Sequence, residues 1–233
     1  MRYDVSKREF KDRLYAQFAR VGRALASPHR LELLDILAQG ERSVDELAAE
    51  ASLTIANASQ HLRALHQAEL VTNRREGTRV LYRLAGPEVF SLWQALRATA
   101  EARLAEIDRV TATYLSHREE LEAIGPEELL QRLADDRVIV LDVRPALEFR
   151  QGHIAGACSI PVDELAERIS EIPADRTVVA YCRGQYCVFA DEAVELLSAQ
   201  GRHALRLTTG YPDWAAAGLP TEINRNGSIA KVQ

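Results

Sequence analysis

Apolar residues recur at three- and four-residue spacing through KREFKDRLYAQFARVGRALA (7–26) and SPHRLELLDILAQG (27–40), the rhythm of two helices with one buried face each. Gly40 stands where the second would stop. In SVDELAAEA, Ser43 and Glu46 have capping-box spacing, which predicts a helix from Val44. After a turn at Ser52-Leu53-Thr54, IANASQHLRALHQAEL places Ile55, Ala58, Leu62 and Leu65 on one buried face. LVTNRR and RVLYRL, joined by Glu76-Gly77-Thr78, predict a β-hairpin, and one long helix is expected over 87–122. Ile124-Gly125-Pro126 then breaks the pattern. Beyond it a helix (PEELLQRLA), a strand (RVIVLDV), a helix near Val162, a strand (TVVAYC), a helix (187–200) and a strand (HALRLTTG) alternate. Such alternation predicts a parallel sheet covered on both faces. The expected fold is an α+β domain over 1–120, an α/β domain with a central parallel sheet over 126–224, and a tail at 225–233.

Composition narrows the function classes. A chain of 233 residues holds two modest domains. No apolar run is long enough to span a membrane, and the charged start MRYDVSKREFKDRLY is unlike a signal peptide. Three cysteines are too few for a disulfide framework and suit a reducing cytoplasm, where a thiol serves catalysis or redox chemistry. Charge is uneven. Residues 1–118 hold 18 Lys+Arg against 15 Asp+Glu and the remainder 11 against 19, so the first half is the one suited to an anionic partner.

Two short helices joined by a tight turn, then a hairpin, describe a winged helix-turn-helix. With its apolar face buried, the second helix offers Asn57, Ser59, Gln60, His61 and Arg63, side chains able to hydrogen-bond base edges in a major groove. Arg74, Arg75 and Arg79 surround Gly77 on the hairpin, where guanidiniums suit phosphates or a narrow minor groove. Each feature alone is also what a solvated surface shows; their order points to double-stranded DNA. SPHRLELLDIL followed by ASQHLRALHQAELVTNRREGTRVLYRL resembles the ArsR class of bacterial repressors over roughly residues 15–115. That resemblance implies a homodimer joined through terminal helices and an inverted-repeat operator. Many ArsR relatives sense metals through cysteines before the recognition helix. Here that stretch reads RSVDELAA, and Asp108 and His117 on the last helix are nine apart, so no metal ligands are assigned. His29, His61 and His66 are read as surface or packing residues.

In the second half, TVVAYC delivers Cys182 to the carboxyl end of a strand, the place where sites gather in open α/β sheets. The loop Arg183-Gly184-Gln185-Tyr186-Cys187 leads into a helix, and its amides with the helix N-terminus favour an anion and a thiolate. Position alone leaves a reactive thiol and a buried structural one equally open. LDVRPALEFRQGHIAGACSIPVDEL, YCRGQYC and GYPDWAAAGLP together resemble the rhodanese family over 126–222. The resemblance implies that Cys182 accepts a sulfane sulfur from a donor such as thiosulfate, with Arg183, Gly184, Gln185, Tyr186 and Cys187 cradling the persulfide. Asp142, Arg144, Glu148, His153 and Trp214 match scaffold positions, and Arg144 and Glu148, at i, i+4, can pair if helical. Related phosphatases and arsenate reductases close a longer loop with an arginine, and Val188 stands there instead. Cys187 is either a small apolar residue at a helix start or a resolving thiol, and Cys158 fills space.

Together these readings predict a cytoplasmic, homodimeric repressor that responds to sulfane sulfur or thiol redox state through Cys182, Cys187 and Arg183, without a cofactor. The alternatives are a sulfurtransferase carrying an independent DNA-binding domain, and a metal or metalloid sensor.

Overall fold

The computed structural model describes residues 6–133 and 138–223, so the expected tail at 225–233 lies outside the described residues. The chain divides into two compact units, Met1–Leu96 and Arg97–Gln233.

The first unit carries α1 (Lys7–Leu25), α2 (Pro28–Ala38), β1 (Arg42–Ser43), α3 (Val44–Glu50), α4 (Ile55–Gln67), β2 (Val71–Glu76), β3 (Arg79–Leu84) and the start of α5 (Pro87–Arg103). The capping box forms as expected: Ser43 N–H donates to Glu46 Oε2 at 2.8 Å and Glu46 N–H to Ser43 Oγ at 3.3 Å. Thr54 caps α4 by accepting from Asn57 N–H at 3.2 Å. Between the two helices Ser52 adopts a left-handed φ of 53°, which turns the chain sharply. β2 and β3 pair antiparallel through a turn where Gly77 has φ 60°, and β1 adds a third strand against β3. Leu33, Leu34, Leu47, Leu62, Leu65 and Tyr82 close the core. Trp93 Nε1 donates to Asp35 Oδ1 at 2.9 Å, fastening α5 to α2.

One residue of the expected α4 face differs. Ala58, Leu62 and Leu65 are fully buried, whereas Ile55 is 55% exposed. At about 100° per residue Ile55 stands at the edge of that stripe, in the first turn of α4. The expected single helix over 87–122 is also interrupted. Leu104 adopts extended φ −113° and ψ 95°, ending α5 and opening α6 (Ala105–Tyr114).

The second unit continues through a 3₁₀ turn at Arg118–Glu120, β4 (Ala123–Ile124), α7 (Pro126–Leu133), β5 (Val138–Asp142), α8 (Ala146–Gln151), β6 (His153–Ile154), β7 (Cys158–Ser159) and α9 (Val162–Arg168). β8 (Thr177–Tyr181), α10 (Phe189–Ala199), β9 (Ala204–Leu207), α11 (Tyr211–Ala216) and β10 (Thr221–Glu222) complete it. The main sheet has order β4-β9-β8-β5-β7 with every pairing parallel, as the alternation of strands and helices predicts. Successive side chains of β8 enter opposite cores. Val178, Ala180 and Cys182 join Leu165, Ala193 and Leu197, while Val179 and Tyr181 join Leu129, Phe149 and Trp214.

At the carboxyl ends of β5 and β8 lies a charged pair without solvent. Arg144 Nη2 is 2.6 Å from Asp142 Oδ2, and both side chains are inaccessible. Tyr181 Oη donates to the same carboxylate at 2.5 Å and accepts Ile154 N–H at 3.1 Å. Arg144 also donates to Gly152 O at 2.8 Å and lies 4.4 Å from the Tyr211 ring centroid. Burial works against the Arg144 charge, and the adjoining Asp142 carboxylate more than restores it. These bonds hold Arg144 on Asp142; Glu148, whose charge also favours the Arg144 guanidinium, binds Arg183 at 2.6 Å. Arg144→Met strands the Asp142 carboxylate, so denaturant titration of the full chain is expected to show the second unit weakened by about 3–5 kcal/mol.

Candidate thiol site and nucleic-acid face

Cys182 follows the last residue of β8, and its carbonyl accepts Tyr211 N–H at 3.1 Å, which fixes where the strand ends. The next residues form a tight loop, closed by Cys187 N–H donating to Gly184 O at 3.0 Å. The loop runs into α10, whose N-cap Val188 supplies no side-chain cap. Its first amides are therefore available to sulfur, and the Ala190 N–H serves Cys182 in this way. Gly210 lies directly under the loop. A Cβ there would collide with Arg183 C, Arg183 O and Gly184 N, so the Arg183–Gly184 peptide occupies the space that a side chain would need.

All three cysteines are free. Cys182 is 5% exposed and packs with the core, and its Sγ lies 3.6 Å from Cys187 O and 3.9 Å from Gly184 O. Burial pushes its thiol well up, and the neighbouring Cys187 sulfur adds to this. Cys187, half-buried, goes the other way, to about 7, because it accepts the Cys182 S–H. Arg183 and Phe189 amides and the Arg183 charge assist, against the effect of burial. The two thiols therefore titrate as a pair, with Cys187 the more acidic member. Cys158 is buried in β7, where desolvation pushes its thiol up.

The other loop residues face elsewhere. Arg183 Nη2 and Nε donate to Glu148 Oε1 at 2.6 and 2.9 Å, and its guanidinium lies 5.4 Å from the Phe189 ring centroid. Gln185 Nε2 and Tyr186 Oη both donate to Glu101 Oε1, the latter at 2.6 Å. Arg118 reaches the loop as well, donating through Nη2 to Cys187 O at 2.7 Å, through Nη1 to Gln185 O, and through Nε to Asp191 Oδ2 at 2.9 Å. Arg206 Nε stands 3.1 Å from Asp191 Oδ1. A cavity of about 530 Å³ opens beside the loop, with Glu101, Ile107, Asp108, Thr111, Leu115 and Tyr186 in its wall. Sequence reading missed Glu101, Arg118 and Gly210 as site residues. Only Gly210 stood within a quoted motif, GYPDW.

In the first unit the expected nucleic-acid residues lie on α4 and on the β2–β3 hairpin. Asn57, Gln60 and Arg63 on α4 are exposed, and Ser59 and His61 are half-buried. Arg63 Nε bends back to Ser59 O at 3.1 Å. Burial, with the nearby His29 and Arg30, pushes His61 down, so its imidazole stays neutral at physiological pH. On the wing, Arg75 and Arg79 are exposed, while Arg74 is held by Glu41 at 2.5 Å and Glu76 at 2.9 Å.

The lowered Cys187 thiol sets a measurable pH response. Since thiolate is the reactive form, alkylation of Cys187 is expected to rise with pH through a midpoint of about 7. Cys182→Ala removes the donor to Cys187, so the midpoint moves upward in that variant; peptide mass spectrometry after brief iodoacetamide treatment reads both.

The family profile described as bacterial regulatory protein, arsR family, matches residues 27–73, and that of the rhodanese-like domain matches 125–217. The HTH-type transcriptional regulator Rv0324 of Mycobacterium tuberculosis is 45% identical over 91% of this chain and 93% of its own length. A protein named sulfurtransferase from Allochromatium vinosum is 41% identical over 42% of this chain and 91% of its own. A solved structure titled as the homodimeric winged helix-turn-helix DNA-binding domain of Mb0332 from Mycobacterium bovis is 42% identical. It covers 45% of this chain and 94% of that one, with a TM-score of 0.40. With a winged helix at one end, a rhodanese-like sheet at the other and a relative matching along both, the chain belongs to the ArsR-family transcriptional regulators, fused here to a rhodanese-like domain.

Proposed function

We propose that this regulator is a repressor that reads sulfane sulfur through Cys182. The observation that carries the reading is the paired thiol at the carboxyl end of β8, in a chain whose other unit is a DNA-binding winged helix. The Cys187 thiolate takes the proton of Cys182 as the Cys182 sulfur attacks the outer sulfur of a donor. With thiosulfate, the S–S bond to the sulfonate breaks, sulfite leaves with the bonding pair, and Cys182 carries a persulfide. Cys187, ionised again, attacks the Cys182 sulfur. A Cys182–Cys187 disulfide forms and hydrosulfide departs, with no outside oxidant. Gly184, Gln185, Tyr186 and the amides around them shape the pocket, and Arg183, gripped by Glu148, adds positive potential to it.

The DNA partner is a double-stranded inverted repeat, bound by Asn57, Ser59, Gln60, His61 and Arg63 in the major groove and by Arg74, Arg75 and Arg79 along the backbone. Its two-fold symmetry matches a homodimer. Exposed Phe10, Leu14, Tyr15 and Phe18 on α1 and Leu92 and Leu96 on α5 are the apolar surface that a second copy would cover. Among the described residues no helix is long and apolar enough to cross a membrane, and the free thiols fit a cytoplasmic protein.

A sulfane-sulfur donor is expected to change operator affinity about 5–150-fold in the wild type and not at all in Cys182→Ser. Equal affinity throughout, in gel-shift titrations on mass-checked samples, removes the sensor reading. The 41% identical sulfurtransferase favours a second role, sulfur transfer with turnover. Sustained sulfite release from thiosulfate with a thiol acceptor would establish it. On the DNA side, Arg75→Ala with Arg79→Ala is expected to weaken binding alike for all sequences and to lower the salt slope by about two.

A further inference from the structure

Besides its own Arg183, the loop from Cys182 to Cys187 receives a cation from outside itself. Arg183 is turned onto Glu148, and Val188 stands where a longer loop would carry an arginine. Arg118, ahead of the matched rhodanese-like span of 125–217, places its guanidinium against the loop and is 14% exposed there. We infer that Arg118 is a positioning residue for the sulfur-accepting loop, an inference that rests on the reading of Cys182 as sulfur acceptor.

Peptide planarity supplies the mechanism. The C=O of one residue and the N–H of the next point in opposite directions. Arg118 draws the carbonyls of Gln185 and Cys187 to one side, through Nη1 and, at 2.7 Å, through Nη2. Holding those two carbonyls fixes the planes of the 185–186 and 187–188 peptides, and with them the shape of the loop. The second consequence is electrostatic. Cys187 O lies 3.6 Å from Cys182 Sγ, so its partial negative charge opposes any anion forming on that sulfur. A guanidinium bonded to the same oxygen offsets this repulsion. Arg118 is held in place by Asp191 on α10, and Asp191 in turn by Arg206 on β9. Other charged or titratable groups near the loop are Arg183 with Glu148 from α8, Arg97 and Glu101 from α5, Asp213 from α11, Arg206 from β9, and Tyr186.

Full-length wild type, Arg118→Lys and Arg118→Gln are compared by two readouts: sulfur uptake from thiosulfate at pH 7, and the pH profile of iodoacetamide alkylation at Cys182 and Cys187. Arg118→Gln is expected to slow uptake about tenfold and to raise the alkylation midpoint by about one pH unit. Arg118→Lys, which keeps the charge without the two-carbonyl fork, is expected to fall between. Wild-type behaviour of Arg118→Gln in both readouts overturns the inference. If that variant does not fold, Arg118→Lys matching the wild type in both overturns it. Alkylation needs no sulfur donor. A wild type that takes up no sulfur therefore defeats the reading of Cys182, while the profiles still decide the role of Arg118.

Discussion

Asp142 and Arg144 sit where water does not reach, and the chemistry of the second unit is arranged around them. Removing two charges from solvent is expensive, and their attraction with good geometry little more than offsets it. The pair is better understood as a device for position. Asp142 ends β5, and its carboxylate takes the hydroxyl of Tyr181, the last residue of β8. Because side chains alternate along a strand, fixing Tyr181 in one core commits Cys182 to the other. The sulfur thus enters the loop from a strand end that cannot slide.

The two thiols of the loop differ in their settings. Cys182 is buried and proton-bearing, which shields it from casual alkylation or oxidation. Cys187, half-buried, is the thiol of the pair that is pushed down, to about 7. Their spacing is set by the loop, whose carbonyls are bound by Arg118, a residue that touches neither sulfur.

Much of this architecture was legible in the chain because it follows from local rules. The capping box at Ser43 and Glu46, the hairpin around Gly77 and the alternation of strands and helices each follow from spacing within a few residues. Other features depend on partners that spacing does not reveal. The break at Leu104 has no proline or glycine to mark it. Ile55 fits an apolar pattern yet lies beyond what the pattern buries. Spacing places Glu148 near Arg144 but does not announce that Asp142 binds the same guanidinium or that Glu148 also binds Arg183. Arg118 reads as one of many exposed helix arginines until the fold brings Gln185 and Cys187 to it.

Gly210 carries a final implication. Its role is to be empty, since the Arg183–Gly184 peptide rests where a side chain would stand. A single methyl group there forces the loop outward, away from the amides of α10. Position 210 and the loop therefore cannot drift separately: a descendant that gains a side chain at 210 must either reshape its cysteine loop or lose it, leaving a winged helix attached to a mute sheet.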